Sequence, residues 1–190
     1  LDGRRGSVVA IDPNNGEVLA LVSSPSFDPN IFNENLTTSK YNELQSNIDQ
    51  PLFNRAVLGT YSPGSIIKPI LGLAALQLGV TNLTQRHICK GHYSLPGNTH
   101  RYRDWLSSGH GSVNLHKAIS QSCDVFFYEV GGQIGIDRMH NYLDQFGLGQ
   151  KTNIELAGER TGLIPSTKWK KTMFSKKEDK NWFCSLSLSR

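Results

Sequence analysis

Cysteine is scarce in this chain, with three residues among 190. That is too few for a disulfide framework, and none of them stands in a Cys-x-x-Cys pair. There is no apolar run long enough to span a membrane and no segment with the pattern of a signal peptide. No internal repeat and no low-complexity stretch is present. No basic stretch is interleaved with aromatics, so nucleic acid is not an expected partner. The net charge is +4, with Lys168, Lys170, Lys171, Lys176, Lys177 and Lys180 gathered late in the chain. Such a run reads as a solvated face. The length suits one domain or part of one, with enough residues for a sizeable core.

What is present is a pattern of alternating elements. Gly6–Ile11 and Glu17–Val22 read as two strands joined by the turn-rich Asp12-Pro13-Asn14-Asn15-Gly16. Residues from Pro25 to Asn47 are polar and irregular. Ile66 to Leu78 is apolar almost all round, which predicts a buried helix. The segment from Cys89 to Gly111 has no clear period and reads as a folded loop in need of an outside constraint. Asn114 is a good cap for a helix over Leu115–Gln121. A second helix is expected from Val125 to Gly132. A third is capped by Asp137, presents Met139, Tyr142, Leu143 and Phe146 on one face, and stops at Gly147. Ile154–Leu156 is a candidate short strand. Strands on both sides of a helical block predict an α+β domain, an antiparallel sheet with helices upon it.

The most informative stretch is Tyr61-Ser62-Pro63-Gly64-Ser65-Ile66-Ile67-Lys68-Pro69. It sets a serine and a lysine three residues apart at the head of a helix. Residues so spaced share one face, so the Lys68 amine is expected within reach of Ser65 Oγ, where it can accept the hydroxyl proton. A bare Ser-x-x-Lys arises by chance in any chain of this size. The turn before it and the apolar helix after it are what make it informative. Ser122-Cys123-Asp124 falls between two predicted helices, where Ser122 and Asp124 could equally be helix caps.

Taken together, Asn54-Arg55-Ala56, Tyr61–Pro69, Arg101-Tyr102-Arg103-Asp104-Trp105, Gly109-His110-Gly111 and Ser122-Cys123-Asp124-Val125-Phe126-Phe127-Tyr128 resemble the transpeptidase domain of class B penicillin-binding proteins. Within that class they are most similar to the elongation-specific D,D-transpeptidases of Gram-negative rods. The likeness runs from about Gly6 to about Trp169. It implies the penicillin-binding/β-lactamase-like fold, an antiparallel sheet with a helical subdomain, of which residues 1–177 would be a partial transpeptidase domain. It implies Ser65 as nucleophile, Lys68 as base, Ser122 as proton relay and Asp124 as the group that orients lysine or substrate amide. The implied reaction is cross-linking of peptidoglycan stem peptides through a seryl acyl-enzyme, with β-lactams as covalent inhibitors. The implied partners are lipid-linked peptidoglycan strands and rod-complex membrane proteins. The implied setting is the periplasmic face of the inner membrane, with an anchor upstream of Leu1.

The resemblance also implies a structural zinc held by Cys89, Asp104, His110 and Cys123, with Cys89 where the family carries an aspartate. All four side chains are zinc-compatible, and four protein ligands close a tetrahedral site. A Cys89–Cys123 disulfide and two free buried thiols are the alternatives. His87, His92 and His100 are nearby but read as surface histidines. The family's third motif, Lys-Thr-Gly or Lys-Ser-Gly on a cleft-lining strand, is not found, and Arg160-Thr161-Gly162 is rejected as its stand-in. The C-terminal strands of the fold are accordingly expected to be missing. Residues 178–190 depart from the family pattern, which suggests a frameshifted or truncated reading frame; an intact genomic frame on both sides would sink that idea. Two other functions are in play. One is a non-catalytic β-lactam-binding sensor or inactive fragment. The other is a β-lactamase, which needs a deacylating base such as Glu155 or Glu159.

Overall fold

Alternation of apolar residues and a polar five-residue linker build the first element, the hairpin of β1 (Gly6–Ile11) and β2 (Val18–Ser24). The turn is closed by the Asp12 and Gly16 amides, which donate to Glu17 O at 2.9 Å and Asp12 O at 2.8 Å. The register pairs Val8 with Val22 and Ala10 with Ala20, then slips so that Ile11 meets Val18. Leu19 is the extra residue, a β-bulge at the hairpin end. The computed structural model describes residues 1–33 and 36–173, so the tail of residues 178–190 and Lys176, Lys177 and Lys180 lie outside the described residues. The described residues fall into two units, residues 1–61 with 151–161, and residues 62–150 with 162–173.

In the first unit the irregular stretch holds a nine-residue helix, α1 (Thr38–Ser46), capped by the Thr37 hydroxyl. A short α2 (Arg55–Leu58) follows and is tied to the hairpin through Ser23. Ser23 Oγ donates to Phe53 O at 3.2 Å and accepts from Arg55 N at 3.0 Å. Arg55 is buried, and its guanidinium donates to the carbonyls of Asp49, Gln50 and Phe53. Neutral carbonyls thus replace the carboxylate that a buried arginine usually takes. The expected strand at Ile154–Leu156 does not form. Leu156 N donates back to Ile154 O at 2.7 Å, which closes a tight turn instead.

The second unit carries the core. Its first helix begins as a 3₁₀ turn over Gly64–Ile67 and becomes α3 at Lys68–Gln77. Pro69 is tolerated because the first helical turn has no N–H partner to lose. The helix is not buried all round, as its composition suggested. Ile67, Leu71, Ala74 and Ala75 face inward, while Ile66 and Leu73 are exposed. The segment expected to be a loop holds two short antiparallel ladders. β3 (His87–Cys89) pairs with β6 (Gly111–Val113), and between them β4 (His92–Tyr93) pairs with β5 (Tyr102–Arg103).

Two glycines draw this segment together. A Cβ on Gly91 would lie 2.1 Å from Ser107 O, and one on Gly109 would lie 2.3 Å from Cys89 O, both at positive φ. Gly109→Ala is therefore expected to cost about 2 kcal/mol or more, read as a lower unfolding midpoint in denaturant.

The helices α4 (Leu115–Ser120), α5 (Asp124–Ile134) and α6 (Ile136–Asp144) complete the core. Asn114 caps α4 as expected, accepting from Lys117 N at 3.0 Å. Phe126, Val130, Ile134 and Met139 are buried almost completely. Asp137 is not the cap of α6. Gly135, at φ 80°, takes that place, because α5 and α6 are separated by this one residue. The Asp137 carboxylate accepts instead from Thr167 N at 2.8 Å and Thr167 Oγ1 at 2.7 Å, docking α7 (Thr167–Met173). Phe146 is exposed. The three ladders among the described residues are antiparallel and carry helices against them, as the α+β reading requires.

The backbone and hydroxyl donors of Thr167 hold Asp137 below the ordinary carboxylate range. A depressed folded value means that the α7 docking is fully present above the unfolded carboxylate pKa, about 3.9. It is lost as pH falls through the folded value beneath it. Protection of the Thr167 amide, read against the intrinsic exchange rate at each pH, should be constant at pH 5 and be lost only as pH falls beneath about 3.9, ahead of global unfolding.

Candidate active site

Ser65 is placed by the 3₁₀ turn. Its carbonyl accepts the Lys68 N–H, and in this geometry side chains three apart eclipse one another. Ser65 is exposed while Lys68 is 7% exposed. The expected direct contact between them is replaced by a relay. Ser122 Oγ lies 3.0 Å from Ser65 Oγ and 3.0 Å from Lys68 Nζ.

Ser122 reaches both because its backbone is left-handed, with φ 53°, a conformation that non-glycine residues rarely hold. The amides of Ser122 and Cys123 pin it there by donating to Ile119 O at 3.1 Å and Ala118 O at 2.9 Å. The bend aims the Ser122 carbonyl at Lys68 Nζ as well, at 2.8 Å. Asp124, the first residue of α5, closes the set with Oδ1 at 2.5 Å from Nζ. Three acceptors around Nζ match the three N–H bonds of an ammonium. Capping is not what Ser122 and Asp124 do: Cys123 is the N-cap of α5, and it makes no side-chain capping bond.

Chemically, the chain Ser65–Ser122–Lys68 moves protons in either direction, since a hydroxyl rotates to donate or accept. A proton leaving Ser65 Oγ passes to Ser122 Oγ while Ser122 passes its own to a neutral Lys68. Reversal delivers a proton to a leaving group beside Ser65.

One further group bears on the lysine. The Phe127 ring centroid lies 5.5 Å from Nζ, so its face stabilises the charged amine. Tyr128, the next residue of α5, is half-buried. Burial, with the carboxylates of Asp124 and Asp104 and with Tyr102, pushes its phenol up to about 12. Phe127 was missed in the sequence, although it stands three residues after Asp124 on the same helix face.

Behind Ser122 and Asp124 lies the second cluster. Cys89, Asp104, His110 and Cys123 are buried, and one ligand atom from each lies within 4.8 Å of all the others. Cys89 Sγ is 3.5 Å from Asp104 Oδ2 and 3.6 Å from His110 Nδ1, and His110 Nδ1 is 3.5 Å from Asp104 Oδ1. The imidazole is 2% exposed and its Nε2 has no hydrogen-bond partner. Cys89 and Cys123 are free thiols. Burial pushes the Cys123 thiol far up.

Burial also raises Asp104, but the N–H groups of Leu106 and Val125 and the two thiols outweigh it and leave the carboxyl below its ordinary value. Val125 N donates to Asp104 Oδ2 at 3.2 Å. Asp104 thus holds the first turn of α5, the turn that carries Asp124. That link between the two clusters was not visible in the sequence.

Of the nearby histidines, His87 is not a surface residue. It is buried, 2.7 Å from Glu129 Oε2 and edge-on to Phe126, because β3 runs under α5. His92 is half-buried and His100 exposed. The candidate deacylation base Glu159 is committed elsewhere. It accepts from Thr152 N and Oγ1, both at 2.6 Å, and from Asn153 N at 3.1 Å, and the Thr152 donors hold it below its ordinary range. Arg160–Gly162 lies in coil rather than on a strand.

A serine joined through a second hydroxyl to a buried amine, at the head of a helix in an α+β unit, is an arrangement by which an amine rather than an imidazole can activate a seryl nucleophile. Residues 6–178 match the model of the penicillin binding protein transpeptidase domain, and the chain belongs to that family. It is 51% identical over 170 residues to the peptidoglycan D,D-transpeptidase MrdA of Acinetobacter baumannii, across 90% of this chain and 25% of that relative. The crystal structure of Pseudomonas aeruginosa PBP2 in complex with WCK 5153 matches 100% of this chain and 41% of its own, with TM-score 0.92 and 42% identity. The complex between PBP2 and MreC from Helicobacter pylori matches 100% of this chain and 35% of its own, with TM-score 0.91 and 31% identity. The chain therefore spans about a quarter of the length of the curated relatives it matches. Among the described residues, no helix is long and apolar enough to cross a membrane.

Proposed function

We propose that the protein containing this chain is a peptidoglycan D,D-transpeptidase. Ser65 attacks the penultimate D-Ala carbonyl of a stem peptide, D-Ala leaves, and the acyl group passes to an amine of a neighbouring stem. Lys68 is the base, Ser122 carries protons between Lys68, Ser65 and the leaving group, and Asp124 orients the lysine. β-Lactams acylate Ser65 in place of the stem peptide. The observation that carries this reading is the unbroken contact from Ser65 Oγ through Ser122 Oγ to Lys68 Nζ, 3.0 Å at each step.

Cys89, Asp104, His110 and Cys123 would hold a zinc ion. Two sulfurs, one imidazole nitrogen and one carboxylate oxygen, all buried and within 4.8 Å of one another, fit a closed tetrahedral site. Such an ion cross-links the segment from β3 to β6 to the start of α5 and takes no part in the acyl transfer. The complex of the similar PBP2 with MreC supports a rod-complex protein as partner; the periplasmic face of the inner membrane and lipid-linked strands rest on the family resemblance alone.

Intact-mass measurement after incubation with benzylpenicillin tests the catalytic reading. One adduct per chain is expected, absent in Ser65→Ala. Folded protein that forms no adduct would identify a non-acylating member of the family. Rapid release of hydrolysed penicillin would identify a β-lactamase.

A further inference from the structure

The presence of two thiols in one four-residue cluster has a chemical consequence. Cys89 and Cys123 are 2% and 0% exposed, their sulfurs lie within 4.8 Å of each other, and both belong to the proposed zinc site. Bonded sulfurs stand about 2 Å apart, so the pair closes only when the two sulfurs move inward.

The geometry points to Cys89 and Cys123 as an oxidative modification site that acts on the Ser122–Asp124 motif, with small hydroperoxides as the reactant. This rests on the zinc reading in one respect: a metal holding both sulfurs shields them, and its loss exposes the pair. One thiol attacks the peroxide oxygen, which gives a sulfenic acid and one water. The second sulfur then attacks the sulfenic sulfur, an S–S bond forms and a second water leaves. The two thiols lose two electrons and two protons, and hydrogen peroxide becomes two waters.

The consequence for Ser65 follows from position. Cys123 stands between Ser122 and Asp124, whose side chains meet Lys68 at 3.0 and 2.5 Å. A bond to Cys89 holds the Cys123 side chain in one geometry, and any backbone shift that this geometry requires is passed to both neighbours. The disulfide also removes two of the four metal ligands, so zinc cannot return until the bond is reduced.

The test uses purified protein under three conditions: zinc-loaded, chelator-treated, and chelator-treated then exposed to hydrogen peroxide. Zinc content, the Cys89–Cys123 peptide and the rate of Ser65 acylation by a fluorescent penicillin are read in each. Expected results are resistance of the zinc-loaded protein and a disulfide in the peroxide-treated one. Acylation should fall at least tenfold beyond the effect of chelation, with recovery on adding reductant and zinc. Cys89→Asp cannot form the bond, so its acylation after peroxide should match its own chelated, untreated level. A disulfide that forms without change in acylation, or sulfinic acid in place of a disulfide, overturns the inference and leaves the zinc reading intact. Protein that never binds zinc overturns the zinc reading, while a disulfide that still suppresses acylation supports the pair.

Discussion

Lys68→Met should slow acylation of Ser65 by roughly 1,000-fold or more, the span of a lost general base. The side chain is nearly isosteric, so the effect comes from the amine rather than from packing. It should also destabilise the fold. The side chains of Lys68 and Asp124 are 9% and 17% exposed, and removing one partner of such a pair leaves a buried charge, at a cost of about 3 kcal/mol. Adding Asp124→Asn to Lys68→Met removes that unpaired charge. The double variant should regain much of the lost stability and none of the acylation rate. Denaturant midpoints beside the rate of penicillin binding would separate the two roles. If the double variant recovered acylation, Lys68 would not be the base.

Asp104→Ala should be the most damaging change outside the Ser65–Lys68 pair. The carboxylate is 6% exposed and accepts from Leu106 N at 3.1 Å and Val125 N at 3.2 Å. The buried Val125 N–H and the half-buried Leu106 N–H lose their partner, and an unsatisfied buried donor costs about 1–3 kcal/mol. The first turn of α5 then loses its anchor, and with it the placement of Asp124 on Lys68. The expected outcome is a loss of about 3 kcal/mol or more in stability, together with slower Ser65 acylation and, on the proposed zinc reading, weaker zinc binding. Asp104→Asn keeps one acceptor oxygen and should fall between wild type and Ala in stability. Equal stability for Asn and Ala would mean that the hydrogen bonds to α5 carry no weight.

Much of the site was legible because its signals are local. Ser65 and Lys68 are three residues apart on one turn, and Asn114 caps the helix that begins beside it. The hairpin was equally plain, since alternation and a turn-rich linker are short-range patterns. The expectations that the structure corrects depend on neighbours distant in the chain. Asp137 reads as a cap, but Thr167, thirty positions away, takes its carboxylate. His87 reads as a surface residue, but Glu129, forty-two positions away, pairs with it. Ile154–Leu156 looks like a strand by composition, yet a strand also needs a partner edge.

The chain by itself determined which groups are available: a nucleophile, an amine at helical spacing, a second Ser-x-Asp motif, and four side chains able to bind one metal. Tertiary structure alone decided how they connect. Ser65 meets Lys68 through Ser122 because a left-handed residue, held by two backbone hydrogen bonds from α4, turns its hydroxyl and carbonyl onto the lysine. Asp104 governs Asp124 because the β-ladders under α5 bring its carboxylate to the helix start. These contacts span 54 residues between Lys68 and Ser122 and 21 between Asp104 and Val125. Such distances are closed by core packing, which the periodicity of a sequence can foretell in kind but not in geometry.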